Sequence, residues 1–515
     1  MRITDIHISN YKAFYGDHHI SLDKDGKNLM LYGENGSGKS SLYIALWKFF
    51  LSSIQEVDVE ENIFLPDSKK GTATVTIETK ESADSSVSNK FVLKSDGKLK
   101  EEEALIAIKD ANKIKGFFDY RKLLNTHVGY EEKVDLFDIL VKDILSHAVN
   151  RFTKKEIGKE WEAIIYDSHE LRQGHHVKAR VADYIEKFNN GLTELLSSIE
   201  SDTNKFMQYF NSSVEIKFDF KGVKYKGRRW LENTSIGLDV TLFKRSILRH
   251  HEFLNEARLS ALAISVYLAA IKVNPSKGKL KLLVLDDLLI GLDMSNRMPL
   301  LNILKDNFEP DFQIFMTTYD KIWYELVQNF FGKKKWKYLE VYSKKLKDED
   351  IEIPVIKPND GLLKTAEKHL DEKDYKASAV YVRTAFERLV KNICEGKNLK
   401  VLYKKNQKEL ASNDFWETIL SQTDISEDLV RDIEIYRGVV MNPFSHDDTE
   451  KPEFKTELEN TIQVVRKLDI EKDSFKKVKP ADFNALKSKL KKMQIQYKRM
   501  MIRSIMDDLY ISKIK

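Results

Sequence analysis

Ile3 to Ile8 set apolar against polar residues with the short period of a strand, and Ile20 to Leu22 predicts a second. Asn28-Leu29-Met30-Leu31-Tyr32 is apolar almost throughout, as in a strand buried on both faces. The helical spacing of Ser41 to Phe50 follows at once. Ala73 to Thr79 and Lys90 to Lys94 predict a meander with polar turns. From about 110 to 212 apolar residues recur every three or four positions, so this stretch is expected to be helical. Lys178 to Phe210 reads as one helix of about 50 Å at 1.5 Å per residue, too short for a long coiled-coil arm. Strands are expected at Val214 to Phe220 and Ile236 to Leu242. An α/β pattern then returns: helix Glu252 to Ile271, strand Leu280 to Leu285, helix Arg297 to Lys305 and strand Gln313 to Thr317. Pro354 and Pro358 bias their predecessors away from helix and predict a linker over 346–359. Residues 360–470 read as a helical bundle, and 471–515 as a basic helical tail.

Composition narrows the class. Hydrophobic residues make up 42% and charged residues 32%, the balance of a soluble globular chain of two or three domains. The lone cysteine, Cys394, excludes an internal disulfide framework and a Cys-rich metal cluster, and it reads as a small core residue. The N-terminus lacks the apolar stretch of a signal peptide. Ala261 to Ile271 falls far short of the roughly 20 apolar residues of a membrane span. The expected location is the cytoplasm, with no membrane partner. A net charge of +5 is too small to argue nucleic-acid binding from the total. The tail from Ser474 carries twelve Lys/Arg against three Asp/Glu, which makes nucleic acid a partner to consider there.

The strongest chemistry lies between the third strand and the first helix. Gly33-Glu34-Asn35-Gly36-Ser37-Gly38-Lys39-Ser40 matches G-x-x-x-x-G-K-[ST] in full, a loop whose backbone N–H groups cradle the phosphates of a nucleoside triphosphate. Lys39 supplies a point charge to the β and γ phosphates, the Ser40 hydroxyl is placed for Mg²⁺, and Ser41 opens the helix that faces the phosphates. Far downstream, Leu282 to Leu285 form an apolar strand ending in Asp286-Asp287. There Asp286 would hold Mg²⁺ beside Ser40, and Asp287 would orient the attacking water.

A phosphate loop near the N-terminus and its carboxylate partner about 250 residues away resemble the split ATPase heads of the SMC, RecF and ABC class. That likeness implies a fold: an α/β head over 1–345, interrupted by a helical insertion at about 110–235 and followed by the α-helical C-terminal domain. It also implies ATP and Mg²⁺ as cofactors and two heads sandwiching two nucleotides. Lys12 stands where the family keeps a basic residue near the nucleotide, and Gly291-Leu292-Asp293 where it has the loop that touches the opposing head. The signature segment corresponds to Leu254-Asn255-Glu256-Ala257-Arg258, with Asn255 as helix cap and phosphate donor but without the family's glycines. Asp287 replaces the family's catalytic glutamate, and Tyr319 occupies the place of its switch histidine, beside Thr318. Slow hydrolysis is expected, with binding and dimerisation as the main activities.

In the C-terminal part, Arg437, Asn442 and His446 resemble the site of HEPN domains, some of which cut RNA. In such a site histidine serves as acid/base and arginine steadies phosphate. Here eight residues separate Arg437 from His446, more than the four to six of those nucleases, and Pro443 interrupts the helix. The whole chain resembles ATPases of prokaryotic anti-phage defence, the PtuA-type subunit of Septu systems and the overcoming-lysogenisation-defect group. That implies a sensor or regulatory subunit with a separately encoded effector nuclease. Two alternatives are an ATP-gated RNase toxin acting alone and a RecF-like repair clamp.

Overall fold

The computed structural model describes residues 1–82, 84–85, 87–99, 105–119, 135–170, 175–210, 213–227, 230–247, 249–274, 278–287, 294–346, 351–358, 361–402, 404, 410–441 and 455–478. These divide into two compact units, 1–359 and 360–515. The first begins with strands β1 (Arg2–Tyr11), β2 (Phe14–Ser21) and β3 (Asn28–Gly33), then helix α1 (Lys39–Leu51). Strands β4 (Thr74–Lys80) and β5 (Ser88–Lys94) lead to α2 (Leu105–Lys113) and β6 (Phe117–Asp119). Helices α3 (Ile157–Glu170) and α4 (His175–Tyr209) precede β7 (Val214–Asp219), β8 (Lys224–Gly227), β9 (Trp230–Glu232), β10 (Gly237–Leu242) and β11 (Arg245–Ile247). Then come α5 (Glu256–Val273), β12 (Leu282–Asp286), α6 (Met294–Asn307), β13 (Gln313–Thr318), α7 (Lys321–Phe331), β14 (Trp336–Lys345) and β15 (Glu352–Pro358).

The central sheet has the order β15-β14-β3-β13-β12-β6 and is parallel except for β15. Its apolar strands bury alternate residues on opposite faces, as unbroken hydrophobic runs require. Leu29, Leu31, Leu282 and Val284 pack with α1 and the N-terminal sheet. Met30, Leu283 and Leu285 face the insertion and α5. The antiparallel sheet β2-β1-β4-β5 is fastened to the central one by a buried glutamine. Gln313 Oε1 accepts from Ile3 N–H at 2.8 Å, and its Nε2 donates to Ile3 O at 2.9 Å. Asn28 Oδ1 takes Ile314 N–H at 2.9 Å and an Arg2 N–H at 2.6 Å. Each amide satisfies buried backbone groups at the junction, where an orphan would cost about 1–3 kcal/mol.

The insertion mixes helix with sheet. α4 matches the expected long helix to within a turn and uses two asparagines as backbone clamps. Asn204 exchanges hydrogen bonds with Ile216 (2.8 and 3.0 Å), and Asn189 does so with Val223 (both 2.9 Å). β6, only three residues long, was too short for its pattern to predict a strand. The linker expected over 346–359 is corrected: residues 352–358 form β15, antiparallel to β14. Two prolines are tolerated because β15 is an edge strand, where a missing N–H breaks no ladder on the far side.

The second unit is helical: α8 (Leu362–Asp371), α9 (Tyr375–Gly396), α10 (Ser412–Gln422), α11 (Glu427–Tyr436) and α12 (Lys455–Glu471) surround a core of Val382, Phe386, Trp416, Ile433 and Ile462. Cys394 sits in that core, its thiol pushed up to about 12 by burial, as a structural cysteine should be. Of the expected basic helical tail, the described start leaves α12 through a turn at 472–474, after which Lys477 bridges Thr423 and Lys476 N–H meets Asp424 Oδ1 at 2.6 Å. The remainder of the tail lies outside the described residues. Among the described residues no helix is long and apolar enough to cross a membrane.

Candidate functional site

Because β13 lies between β3 and β12, the loop after β3 and the carboxylates after β12 open at the same carboxyl edge of the parallel sheet. The loop needs its glycines. Gly36 and Gly38 have φ of 83° and 102°, and a Cβ on Gly33 would stand 2.4 Å from Ser37 Oγ and 2.7 Å from Val341 O. Gly38 runs so close to the edge strand that a Cβ there would meet Pro354 Cγ at 2.9 Å. Ser37 is buried and its Oγ has no hydrogen-bond partner within the protein, an orphan that a phosphate oxygen would satisfy. Asn35 and Ser40 are exposed at the mouth, and Ser41 is half-buried in the first turn of α1.

Lys39 is only 4% exposed. Its Nζ donates to Gly33 O at 2.9 Å and Glu34 O at 3.1 Å, and Asp287 Oδ2 lies 3.9 Å away. Asp286, 5% exposed, accepts a hydrogen bond from the Thr317 hydroxyl on β13. Asp287 turns the chain at φ 48° and accepts Tyr319 N–H at 3.2 Å. Burial raises its carboxyl above the ordinary range, against the opposing pull of Lys39 and the Tyr319 N–H. The structure thus brings together the loop, Lys39, Asp286, Asp287 and Tyr319. A triphosphate fits the cradle: glycine backbone, one lysine and an unpartnered hydroxyl. Mg²⁺ fits a hydroxyl and one carboxylate beside phosphate oxygens, since it seldom uses an all-protein cage. Among the described residues no group of three or more His, Cys, Asp or Glu forms such a cage.

Other expected residues have partners within the protein. Lys12 is engaged by Glu60, which also takes Lys48 at 2.7 Å; the lysine's neighbour Ala13, rather than its ammonium, approaches Gly38. Thr318 Oγ1 accepts Asp320 N–H at 3.0 Å, while Asp320 caps α7 and pairs with Arg297 at 2.7 Å. Asn255 caps α5, its Oδ1 taking Arg258 N–H at 3.0 Å. Asn255→Ala is expected to cost about 1 kcal/mol in urea unfolding of the nucleotide-free protein. Asp293, like Gly291 and Leu292, lies outside the described residues. Thr317 was missed by sequence reasoning; its only local signal is a hydroxyl at the carboxyl end of a buried strand.

The arginine of the RNase-like trio is buried and paired within the helical unit. Arg437 is 8% exposed, with Nη1 on Glu434 Oε1 at 2.8 Å and Nη2 on Asn413 Oδ1 at 2.9 Å. Its guanidinium is thereby one member of a core ion pair. Asn442 and His446 lie outside the described residues.

A parallel sheet carrying a phosphate loop, with two carboxylates at its edge, defines a P-loop ATPase. The family model for the RecF/RecN/SMC N-terminal domain matches residues 2–338. The chain belongs to that family, whose members are ATPases that use ATP with Mg²⁺. No curated protein matches the chain. Among solved structures, an Smc head bound to the C-winged helix domain of ScpA is 12% identical, with TM-score 0.40, over 72% of this chain and 100% of the other. An Smc head with an extended coiled coil from Pyrococcus furiosus, bound to the C-terminal domain of ScpA, is 12% identical over 72% and 99%, with TM-score 0.41. The SMC head domain from Thermotoga maritima is 15% identical over 70% and 99%, with TM-score 0.33.

Proposed function

We propose that the chain is an ATP-gated switch whose heads pair around two bound nucleotides and turn them over slowly. The Lys39–Asp287 juxtaposition at 3.9 Å carries the reading. It sets a phosphate-binding cation and a water-orienting carboxylate at one point, beside Asp286 for the metal. The loop backbone, Lys39 and Ser37 hold the phosphates, and Ser40 with Asp286 holds Mg²⁺. Asn255 and Asp293 of a second copy close over the nucleotide. Hydrolysis is slow because Asp287 is one methylene shorter than a glutamate and Tyr319 offers no imidazole, and positioning dominates phosphoryl transfer. Within this reading the chain is the sensor or regulatory subunit of an anti-phage defence system and controls a separately encoded effector nuclease. The degenerate signature segment and the appended helical unit support that role.

Asp287→Asn tests the assignment, since asparagine tolerates the same left-handed backbone. ATP retention and ATP-dependent dimerisation should persist while hydrolysis falls by about 100-fold or more. In the unaltered protein the acid limb of hydrolysis should lie above the ordinary Asp value, because the folded carboxyl holds its proton more tightly. The linkage sign follows. A raised folded pKa contributes stability below the unfolded value, and that contribution is lost as pH rises through the folded value. Asp287→Asn should therefore raise the unfolding temperature of the nucleotide-free protein at neutral pH and lose that advantage in acid. Undiminished turnover in the variant would remove Asp287 from the reaction.

A further inference from the structure

From Lys217 to Trp230 six Lys/Arg stand against one Asp, an excess equal to the net charge of the whole chain, +5. Two of the six, Arg228 and Arg229, lie outside the described residues, and the inference rests on the others. β8 and β9 form a separate two-stranded ribbon, with Lys224 opposite Glu232, Tyr225 opposite Leu231 and Gly227 opposite Trp230. Alternation sorts the ribbon into two faces. Tyr225 and Leu231 pack on the core of the insertion. Lys224, Lys226 and Trp230 face outward, with Lys226 paired to Glu232 at 3.0 Å and Trp230 65% exposed. An exposed Lys221 precedes them.

The ribbon is held rather than loosely hung. Asn189 of α4 clamps both backbone groups of Val223 at 2.9 Å. Gly222, at φ 75°, lets the chain pass so close that a Cβ would lie 3.1 Å from the same Asn189 amide. Between α4 and the ribbon is a hollow of about 500 Å³, lined by Ile185, Glu186 and Asn189 on one side and Lys224, Tyr225 and Lys226 on the other. Glu186 is the only carboxylate of its lining.

We propose that this ribbon binds single-stranded nucleic acid, with Lys221, Lys224 and Lys226 on successive phosphates and Trp230 as a stacking platform for an unpaired base. Two lysines on a held strand, with a third just before it, match a linear polyanion. An exposed indole on the same face favours a chain whose bases are free to stack over one whose bases are paired. An acidic polypeptide matches the lysines but has no use for the indole.

The test uses the full chain and a labelled oligothymidylate of about 20 nucleotides, followed by anisotropy across a salt series. Single-strand affinity should fall as salt rises. Lys221→Ala/Lys224→Ala/Lys226→Ala should flatten the salt slope by about 2 and weaken binding about 100-fold at 0.1 M salt, at about 0.7 per phosphate. Trp230→Ala should weaken it about 5- to 150-fold with the slope unchanged. Unchanged ATP retention in both variants verifies that the head is folded. An oligouridylate arm tells whether RNA is preferred over DNA. The inference is overturned if both variants bind like the unaltered protein, if duplex binds more tightly with Trp230→Ala neutral, or if polyglutamate displaces the oligonucleotide at equal charge concentration.

Discussion

Lys39→Ala is expected to weaken ATP binding by about 30- to 5,000-fold, the loss that follows truncation of a buried charge partner worth about 2–5 kcal/mol. The lysine is 4% exposed and already desolvated, with its ammonium held by Gly33 O, Glu34 O and the Asp287 carboxylate. Phosphate oxygens therefore replace protein oxygens around a cation that needs no fresh desolvation. The same substitution removes the attraction that opposes burial at Asp287, so that carboxyl should hold its proton more tightly still. Calorimetric titration of the nucleotide-free protein with ATP and Mg²⁺ measures the effect. ATP binding that survives Lys39→Ala at full strength would refute the phosphate site. Comparison with Asp287→Asn separates binding from turnover, because only the lysine substitution should abolish nucleotide-dependent pairing of heads.

Arg437→Ala should destabilise the C-terminal unit by about 3–5 kcal/mol, the cost of stranding one partner of a buried ion pair. The two side chains are 9% and 5% exposed, so solvent screens the pair little. Glu434 Oε1 also accepts from the Trp416 indole at 2.6 Å, and the guanidinium lies 5.4 Å from the Phe386 ring centroid. Without the arginine, Glu434 would stay in the core with the indole as its remaining partner of this set. Replacing both members, as Glu434→Leu/Arg437→Met, should recover much of the loss, since an apolar pair leaves no charge to solvate. Urea unfolding of the full chain, read as the transition of this unit, distinguishes the two. If Arg437→Ala unfolded like the unaltered protein yet abolished an RNA-cutting activity, the catalytic reading of this arginine would return.

Local pattern was enough for the phosphate loop, the strand and helix around it, the Asp286-Asp287 strand end, the long helix α4 and the cap at Asn255. Each is encoded within a few neighbouring residues, through a period of side chains or the turn chemistry of glycine and asparagine. Pairing between distant segments, and the loss of water that follows, were decided only in the tertiary structure. The order β3-β13-β12 set Lys39 against Asp287 and gave Asp286 its Thr317 partner. A place at the sheet edge made a strand of the proline-marked stretch at 352–358. Packing of α10 against α9 and α11 buried Arg437 together with Glu434, its partner one turn back on the chain. A residue's chemistry depends on which oxygens and how much water surround it, and the packing that excludes the water is supplied by other elements of the fold, even where, as for Arg437 and Glu434, the partner is three positions away.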